Sequence, residues 1–527
     1  MAYYRDIREH IEALEAKNRL VRIKREINKD TELMPLVRWQ FRGLPEEERK
    51  AFLFENVVDA TGKKYNIPVL VASYAASRDV YAISLMCKPE EIVEKLAQAQ
   101  RQTVEPRVID DGPVHEEIHI GENLLEHDGL SEFPVPISTP GFDNAPYISA
   151  GNWVTKDPET GIRNVGIYRG MIKSKTRAGI MNHPGQHLRI HWEKCRQMGK
   201  SLQAAIVMGA IPAIGLTSAM KLPYGIDEFA VGGGIAGMPI ELVKCKTVDI
   251  EVPATAEIVI EGELPTDSME REGPFGEYTG FMAPAEIGPY FNITCITHRK
   301  NPIYHAFISQ FPPSESSKLR HIAGEAYIYN FLRHECGLPV VDVSLHETSG
   351  AAPYCVVSLK KTHLNQGWQA LYGVLACSSI GHKIITVVDD DIDVRDADSV
   401  NWAISWRVQP NRDTRVVPGI ISQLDPSLVP PTDPRTNYPV PSGSSAMLIN
   451  ATRKWGYPTV SLPQQQFMER ARQIWEEEGL PALKPKKPWY GYPLDYWTKE
   501  YEDEAELALK GQHFQTGEKL ANLRVDL

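Results

Sequence analysis

The stretch "EREGPFGEYTG", Glu270 to Gly280, carries two carboxylates, Glu272 and Glu277, on either side of a Gly-Pro-Phe-Gly segment. Gly273, Pro274 and Gly276 suit a turn, because glycine accepts positive φ and proline pre-sets its own. A turn there would aim both acids into one pocket, where their repulsion makes one easier to protonate. The plainer reading is a polar surface turn with two solvated glutamates. A second group is "HPGQHLRIH", in which His187 and His191 are four apart and share a face if the segment is helical, with His183 outside it. A zinc pair would need a third ligand and usually an HExxH glutamate, which is absent. Histidines satisfied by hydrogen bonds are the plainer account. Arg169, in "RNVGIYRG", is a natural fork for a carboxylate if it faces a pocket. It lies five residues after Asn164, so a regular strand points the two to opposite faces, and they share a site only if the strand bulges at Gly166.

Two further patterns carry less. "GGGIAG", Gly232 to Gly237, matches the dinucleotide fingerprint in letters only. Pro239 follows almost at once and "IELVKC" reads as a strand, whereas the fingerprint needs a strand before it and a helix opening from it. "VVDDDIDVRD", Val387 to Asp396, could bind a cation but lacks the glycine and terminal glutamate of a calcium loop. It reads better as charge at a strand end followed by a helix cap.

The elements that must position these residues fall into four regions, giving an α/β (α+β) expectation. Residues 1–105 alternate a helix at "DIREHIEALEAKN", with Ile7, Ile11 and Leu14 on one face, strands at "LVRIKREI", "AFLFENVV" and "IPVLVASY", and a helix at "KPEEIVEKLAQAQRQ". Residues 106–312 begin loop-rich and become β-rich. A hairpin is expected about "DPETG", with strands at "VDIEVP", "AEIVIEGEL" and "YFNITCITH" and one clear helix at "HLRIHWEKCRQMG". Residues 313–462 alternate helix and strand again as a compact α/β domain. Residues 463–527 form a tail with helices at "QQQFMERARQIWEEEG" and "KEYEDEAELALKG", of the kind that docks onto a neighbour or another subunit.

Composition excludes several classes. With 527 residues, 42% hydrophobic and 24% charged, the chain has the proportions of a folded soluble protein of two to four domains. A net charge of −11 argues against a nucleic-acid footprint. The longest apolar run, Ala204 to Leu216, is too short to span a membrane and is broken by Pro212. The charged start lacks the apolar core of a signal peptide. Seven dispersed cysteines without a CxxC pair suit reduced thiols in a cytoplasm.

The ordered set "RNVGIYRG", "GQHLRIH", "DEFAVGGGIAGMPIELVKCKT", "VPATAEIVIEGEL" and "EGPFGEYTG" resembles the UbiD family of reversible decarboxylases, and "VVDDDIDVRD" extends the resemblance into the third region. The resemblance implies a central split-barrel flavin-binding domain and a C-terminal α/β oligomerisation domain. It implies prenylated FMN supplied by a flavin prenyltransferase, with the phosphate bridged by Mn2+ or Mg2+ and a K+ nearby. On this sequence the metal ligands fall on Asn164, His187 and Glu228, and the catalytic network on Arg169, Glu272 and Glu277. The cofactor segments carry Val165, Ile167 and Gln186, and Thr217 to Met220, including Ser218, resembles the potassium and phosphate segment. A divalent ion would neutralise phosphate without a basic patch, which suits an acidic chain, and it leaves His191 without a metal role.

Met238 stands where the ferulic-acid branch carries a glutamate, with Glu241 three residues later. Lys454 is the lysine available near "SGSSAMLINATRK" for a cofactor phosphate. The implied activity is decarboxylation or carboxylation of an aromatic or heteroaromatic acid, free or as an aryl-CoA acid, by a homo-oligomer from dimer to hexamer. The alternatives are a non-catalytic subunit of a multi-subunit aromatic carboxylase and a zinc hydrolase built on His187 and His191.

Overall fold

The computed structural model describes residues 2–350, 353–377, 381–419, 425–427 and 444–523. The first helix, Ile7–Ala16, is capped by Asp6, whose carboxylate accepts from the Arg8 and Glu9 amides, and it buries Ile7, Ile11 and Leu14 as its periodicity predicts. It packs on a sheet ordered Leu20–Asn28, Ala51–Val58, Val69–Val71 and Tyr304–Ala306, with Lys64–Tyr65 pairing beside Ala51–Val58. The last of these strands arrives from far downstream and runs parallel to Val69–Val71, so the N-terminal sheet is closed by residues from the end of the central region.

The central region is built on a nine-stranded sheet that curls into a half-barrel. Its order is Tyr147–Ile148, Gly170–Ser174, Arg177–Ile180, Tyr290–His298, Ile258–Leu264, Leu202–Met208, Asn152–Lys156 and Arg163–Ile167, with Glu117–Ile120 pairing beside Tyr290–His298. Every pairing in it is antiparallel. The hairpin about "DPETG" forms in regular register, Asn152 to Lys156 against Ile167 to Arg163.

The segment "NVGIYRGMIKS" is not one strand. It breaks after Ile167 and resumes at Gly170 next to a different neighbour. Besides the expected His187–Gln197, the region holds helices Pro212–Thr217 and Glu228–Ala236. The second contains three consecutive glycines, which periodicity and propensity both read against helix. Its glycines are required by packing: a Cβ on Gly233 would lie 2.3 Å from the Val104 carbonyl oxygen, and one on Gly234 2.6 Å from that of Gln102.

The third region carries a five-stranded sheet ordered Val340–Leu345, Tyr354–Leu359, Ile384–Asp389, Ser445–Ala451 and Thr414–Pro418, flanked by Glu315–Tyr329, Asn365–Cys377 and Ala397–Arg407. The acidic run at its centre is spent on ion pairs. Arg407, fully buried, meets Asp389 at 3.1 Å and Asp391 at 2.6 Å, and Asp396 stands at the N-cap position of the following helix, accepting from the Ser399 hydroxyl at 2.6 Å. The tail has the two expected helices, Gln465–Glu477 and Lys499–Leu509, and a third, His513–Ala521.

Candidate active site

Arg169 reaches the site from a corner rather than from a strand. The Trp153 indole donates to the Tyr168 carbonyl at 3.0 Å and holds that corner. No bulge at Gly166 is needed: the strand ends at Ile167, so the alternation that would send Asn164 and Arg169 to opposite faces no longer applies. The guanidinium is buried and forked onto Glu272, with Nε donating to Oε1 at 2.9 Å and Nη2 to Oε2 at 2.6 Å. Its remaining arm, Nη1, donates to Glu277 Oε1 at 2.6 Å. The two carboxylates hold Arg169 firmly charged against the cost of burial.

The acids sit along one long hairpin rather than across a single tight turn. Glu270–Glu272 pairs with Glu286–Gly288, and Phe275–Gly276 with Met282–Ala283. The chain reverses further out, where the Glu277 amide donates to the Phe281 carbonyl at 3.0 Å. The Gly273–Pro274 step is a kink between the two paired stretches. Gly273 has φ +95°, and a Cβ there would lie 2.9 Å from the Pro284 carbonyl oxygen.

A loop missed by sequence reading, "FDNAPY", fixes the kink. Asn144 Nδ2 donates to the Gly273 carbonyl at 2.9 Å, the Tyr147 hydroxyl to the Pro274 carbonyl at 3.1 Å, and the Gly276 amide to Asp143 Oδ1 at 3.0 Å. Burial pushes the Asp143 carboxyl up to about 6.

Arg169 and Glu277 line a cavity of about 500 Å³ that is also lined by Asn164, His187 and Glu228. Glu272, fully buried, stands behind the arginine. Glu228 opens the glycine-rich helix and accepts from the Val165 amide at 2.7 Å, which ties that helix to the Asn164 strand. Burial pushes its carboxyl up to about 8. Burial, with Lys221 nearby, lowers the His187 pKa and favours the neutral ring. Asn164 is buried with Nδ2 unpartnered, and rotating the amide presents its oxygen instead. A buried carboxylate without a cation, a neutral imidazole and an amide form a donor set that fits a divalent ion of the magnesium or manganese kind.

The other residues singled out in the sequence divide. Val165, Ile167, Gln186, Ser218 and Met220 line the cavity. Thr217 does not; it is buried with its hydroxyl donating to the Ile214 carbonyl at 3.1 Å. His183 lines the cavity, and burial holds it neutral, near 4. His191 is turned away and bonded to Thr155 at 2.9 Å, and neither it nor His187 joins a cluster of three His, Cys, Asp or Glu ligands among the described residues. The geometry therefore gives the zinc pair no support.

Met238 is exposed at a helix end and Glu241 pairs with Arg107. Lys454 donates to the Asn450 and Arg407 carbonyls at 2.6 and 2.8 Å, away from the cavity. Besides Arg169, Lys221 and Arg320 are the cations that line it. Lys221 is open to the cavity but enclosed by protein, and burial with Arg320 nearby lowers it to about 8. Neither residue stands in a motif, so only the folded chain brings them to one wall.

Comparison with known proteins bears on this arrangement. Family models described as the Rift-related, C-terminal and N-terminal domains of 3-octaprenyl-4-hydroxybenzoate carboxy-lyase match residues 107–312, 318–451 and 11–100. The matched family is one of carboxy-lyases. An uncharacterized protein of Aquifex aeolicus is 33% identical over 90% of this chain and 99% of its own. The UbiD-class enzyme HmfF of Pelotomaculum thermopropionicum, solved as an evolved dimeric form in complex with prenylated FMN, superposes with a TM-score of 0.76 at 31% identity over 89% of this chain and all of its own. The vanillic acid decarboxylase of Sedimentibacter hydroxybenzoicus does so with a TM-score of 0.77 at 26% identity over 90% of this chain and 99% of its own. The chain belongs to the UbiD family.

Proposed function

We propose that the protein is a prenylated-FMN-dependent reversible decarboxylase of an aromatic or heteroaromatic carboxylic acid, free or as an aryl-CoA acid, working as a homo-oligomer. The observation that carries this reading is a buried arginine held between two glutamates at the wall of a cavity that also contains an amide, imidazole and carboxylate donor set. Asn164, His187 and Glu228 would hold a divalent cation against the cofactor phosphate, with Lys221 and Arg320 adding positive charge. Val165, Ile167, Gln186, Ser218 and Met220 would contact the cofactor. The backbone near Thr217 to Met220 would offer oxygens to a potassium ion. The bound cofactor supplies the electron sink that decarboxylation of an sp² carbon otherwise lacks.

The chain's own residues then do three things. Glu272 occupies Nε and Nη2 of Arg169, which fixes the plane of the guanidinium. Nη1, now turned to Glu277, is the arm that can orient a substrate carboxylate. Glu277, less enclosed than Glu272, delivers the proton that replaces carbon dioxide and removes it in the reverse direction. The hairpin that carries both acids is held by the 143–147 loop, so orientation is set before substrate arrives.

The test is expression with a flavin prenyltransferase followed by a screen of aromatic and heteroaromatic acids for carbon dioxide release. Turnover that disappears in protein made without the prenyltransferase supports the reading. Absence of turnover across the screen, with matured cofactor bound, argues against it.

A further inference from the structure

A second group of ligand atoms lies at the paired strands Glu117–Ile120 and Tyr290–His298. His119 is on strand Glu117–Ile120, His127 directly follows the short helix Glu122–Glu126, and Glu132 ends the turn Gly129–Glu132. One ligand atom from each lies within 4.8 Å of the other two. His298, at the end of the paired strand Tyr290–His298, closes the group.

The hydrogen-bond accounting at this cluster does not close with protein atoms. His119 Nδ1 and Glu132 Oε2 are 3.2 Å apart, yet both are buried without a hydrogen-bond partner. His298 Nδ1 bonds the Arg299 carbonyl at 2.9 Å, so Nδ1 carries the proton and the Nε2 lone pair faces Glu132 Oε1 at 3.6 Å. Nε2 is also buried without a partner, and His119 and His298 are 3% and 5% exposed. His119 Nδ1, His298 Nε2 and the Glu132 carboxyl thus face one another with no hydrogen bond between them, an arrangement that costs free energy unless a proton or a cation sits among them. A backbone carbonyl that orients the far nitrogen of a histidine is the usual support for a metal-ligating ring.

We propose that His119, His127 and Glu132, with His298 beside them, form a binding site for a divalent transition-metal ion of the zinc type, separate from the cavity. Imidazole-rich sets with one carboxylate select zinc, cobalt or nickel over magnesium. Bonds of about 2.1 Å in a tetrahedral shell place neighbouring ligand atoms roughly 3.4 Å apart. The 3.2 Å and 3.6 Å separations bracket that value. The rings of His119 and His127 stack at 3.8 Å with planes 16° apart, so their in-plane lone pairs run side by side, and the exposed His127 ring turns to share an ion with His119.

The role is structural. The ion would join the 119–132 segment to strand Tyr290–His298; Asp128 of the same segment pairs separately with Lys63 and Lys175.

The experiment uses the full chain, without an affinity tag, carrying Glu228→Gln so that the cavity's donor set is disabled, stripped with chelator and titrated with Co2+. The expected result is one equivalent bound with the visible bands of four-coordinate cobalt, displaced by Zn2+. His127→Ala and Glu132→Gln should each weaken it at least about tenfold. His127 is exposed, so its removal leaves the fold intact, and circular dichroism checks this. Zn2+ should raise the melting temperature of the Glu228→Gln chain and not of its His127→Ala derivative. Failure of the Glu228→Gln chain to bind, or affinities unchanged in both natively folded variants, overturns the proposal. Loss of cobalt binding there would leave the reading of the cavity untouched, because no residue is shared between the two groups.

Discussion

Glu277 and Arg169 differ in what their removal does, and the difference separates chemistry from folding. Glu277→Gln keeps a hydrogen-bonding side chain of the same size beside Arg169, so kcat should fall about 10²- to 10⁴-fold with little change in stability. Steady-state carbon dioxide release and a denaturant titration measure the two. Arg169→Ala instead strands Glu272, which is fully buried. It should cost roughly 3–5 kcal/mol in the same titration as well as activity.

Lys221 makes a pH prediction. Its pKa stands near 8 in the unliganded protein, depressed by burial and Arg320. An anion bound beside it favours the charged form, so its pKa rises on binding. FMN affinity should therefore be flat below about pH 8 and fall above it, with proton uptake on binding. Calorimetry in buffers of different ionisation enthalpy reads this, and Lys221→Gln should remove the lysine's share of the proton uptake and leave only the weaker fall due to Glu228, which burial lifts to about 8.

The acids and the arginine were legible as residue types near turns. Their mutual contact was legible only through the family resemblance, because it spans about a hundred positions and depends on where one strand stops. Lys221 and Arg320 had no local signal at all.

At the scale of elements, the kinked hairpin is the most constrained piece. Gly273→Ala places a Cβ against the Pro284 carbonyl at a φ that L-residues rarely adopt. It should destabilise by about 1–2 kcal/mol and lower kcat by shifting Glu272 and Glu277 together. A conformational penalty confined to the hairpin would appear in thermal melts, and the shift in activity at permissive temperature.

Helices with strong amphipathic spacing, such as Ile7–Ala16 and His187–Gln197, were readable because a half-buried face imposes a period. Glu228–Ala236 was not. It is buried nearly all round, so it has no period, and its glycines answer to a neighbouring backbone rather than to helix propensity. Arg163–Ile167 and Gly170–Ser174 read as one strand because the two-residue corner between them contains no strong breaker apart from the second strand's own first glycine.

At the scale of the molecule, the central sheet brings segments near residues 164, 187, 228 and 277 to one cavity, and the third region supplies Arg320 to its far wall. Alternating helix and strand signals revealed the layered outer regions; the return of Tyr304–Ala306 to the N-terminal sheet left no sequence trace, since strand pairing across hundreds of residues has no local period. The tail leaves Phe467, Ile474, Leu483, Trp497 and Phe514 between 40% and 72% exposed, which fits a surface covered in an oligomer. Ending the chain before Gln464 should lower the assembly mass by light scattering, and an unchanged mass would place the interface elsewhere.

The central claim is that one cavity holds both the cofactor anchor and the Arg169 network. A crystal structure of protein made with the flavin prenyltransferase, with anomalous data at the manganese edge, tests it most directly. The account predicts an ion held by Asn164, His187 and Glu228 on the cofactor phosphate, with the modified ring facing Arg169 and Glu277. A cofactor seated in another part of the chain, or an ion away from those three residues, would contradict it.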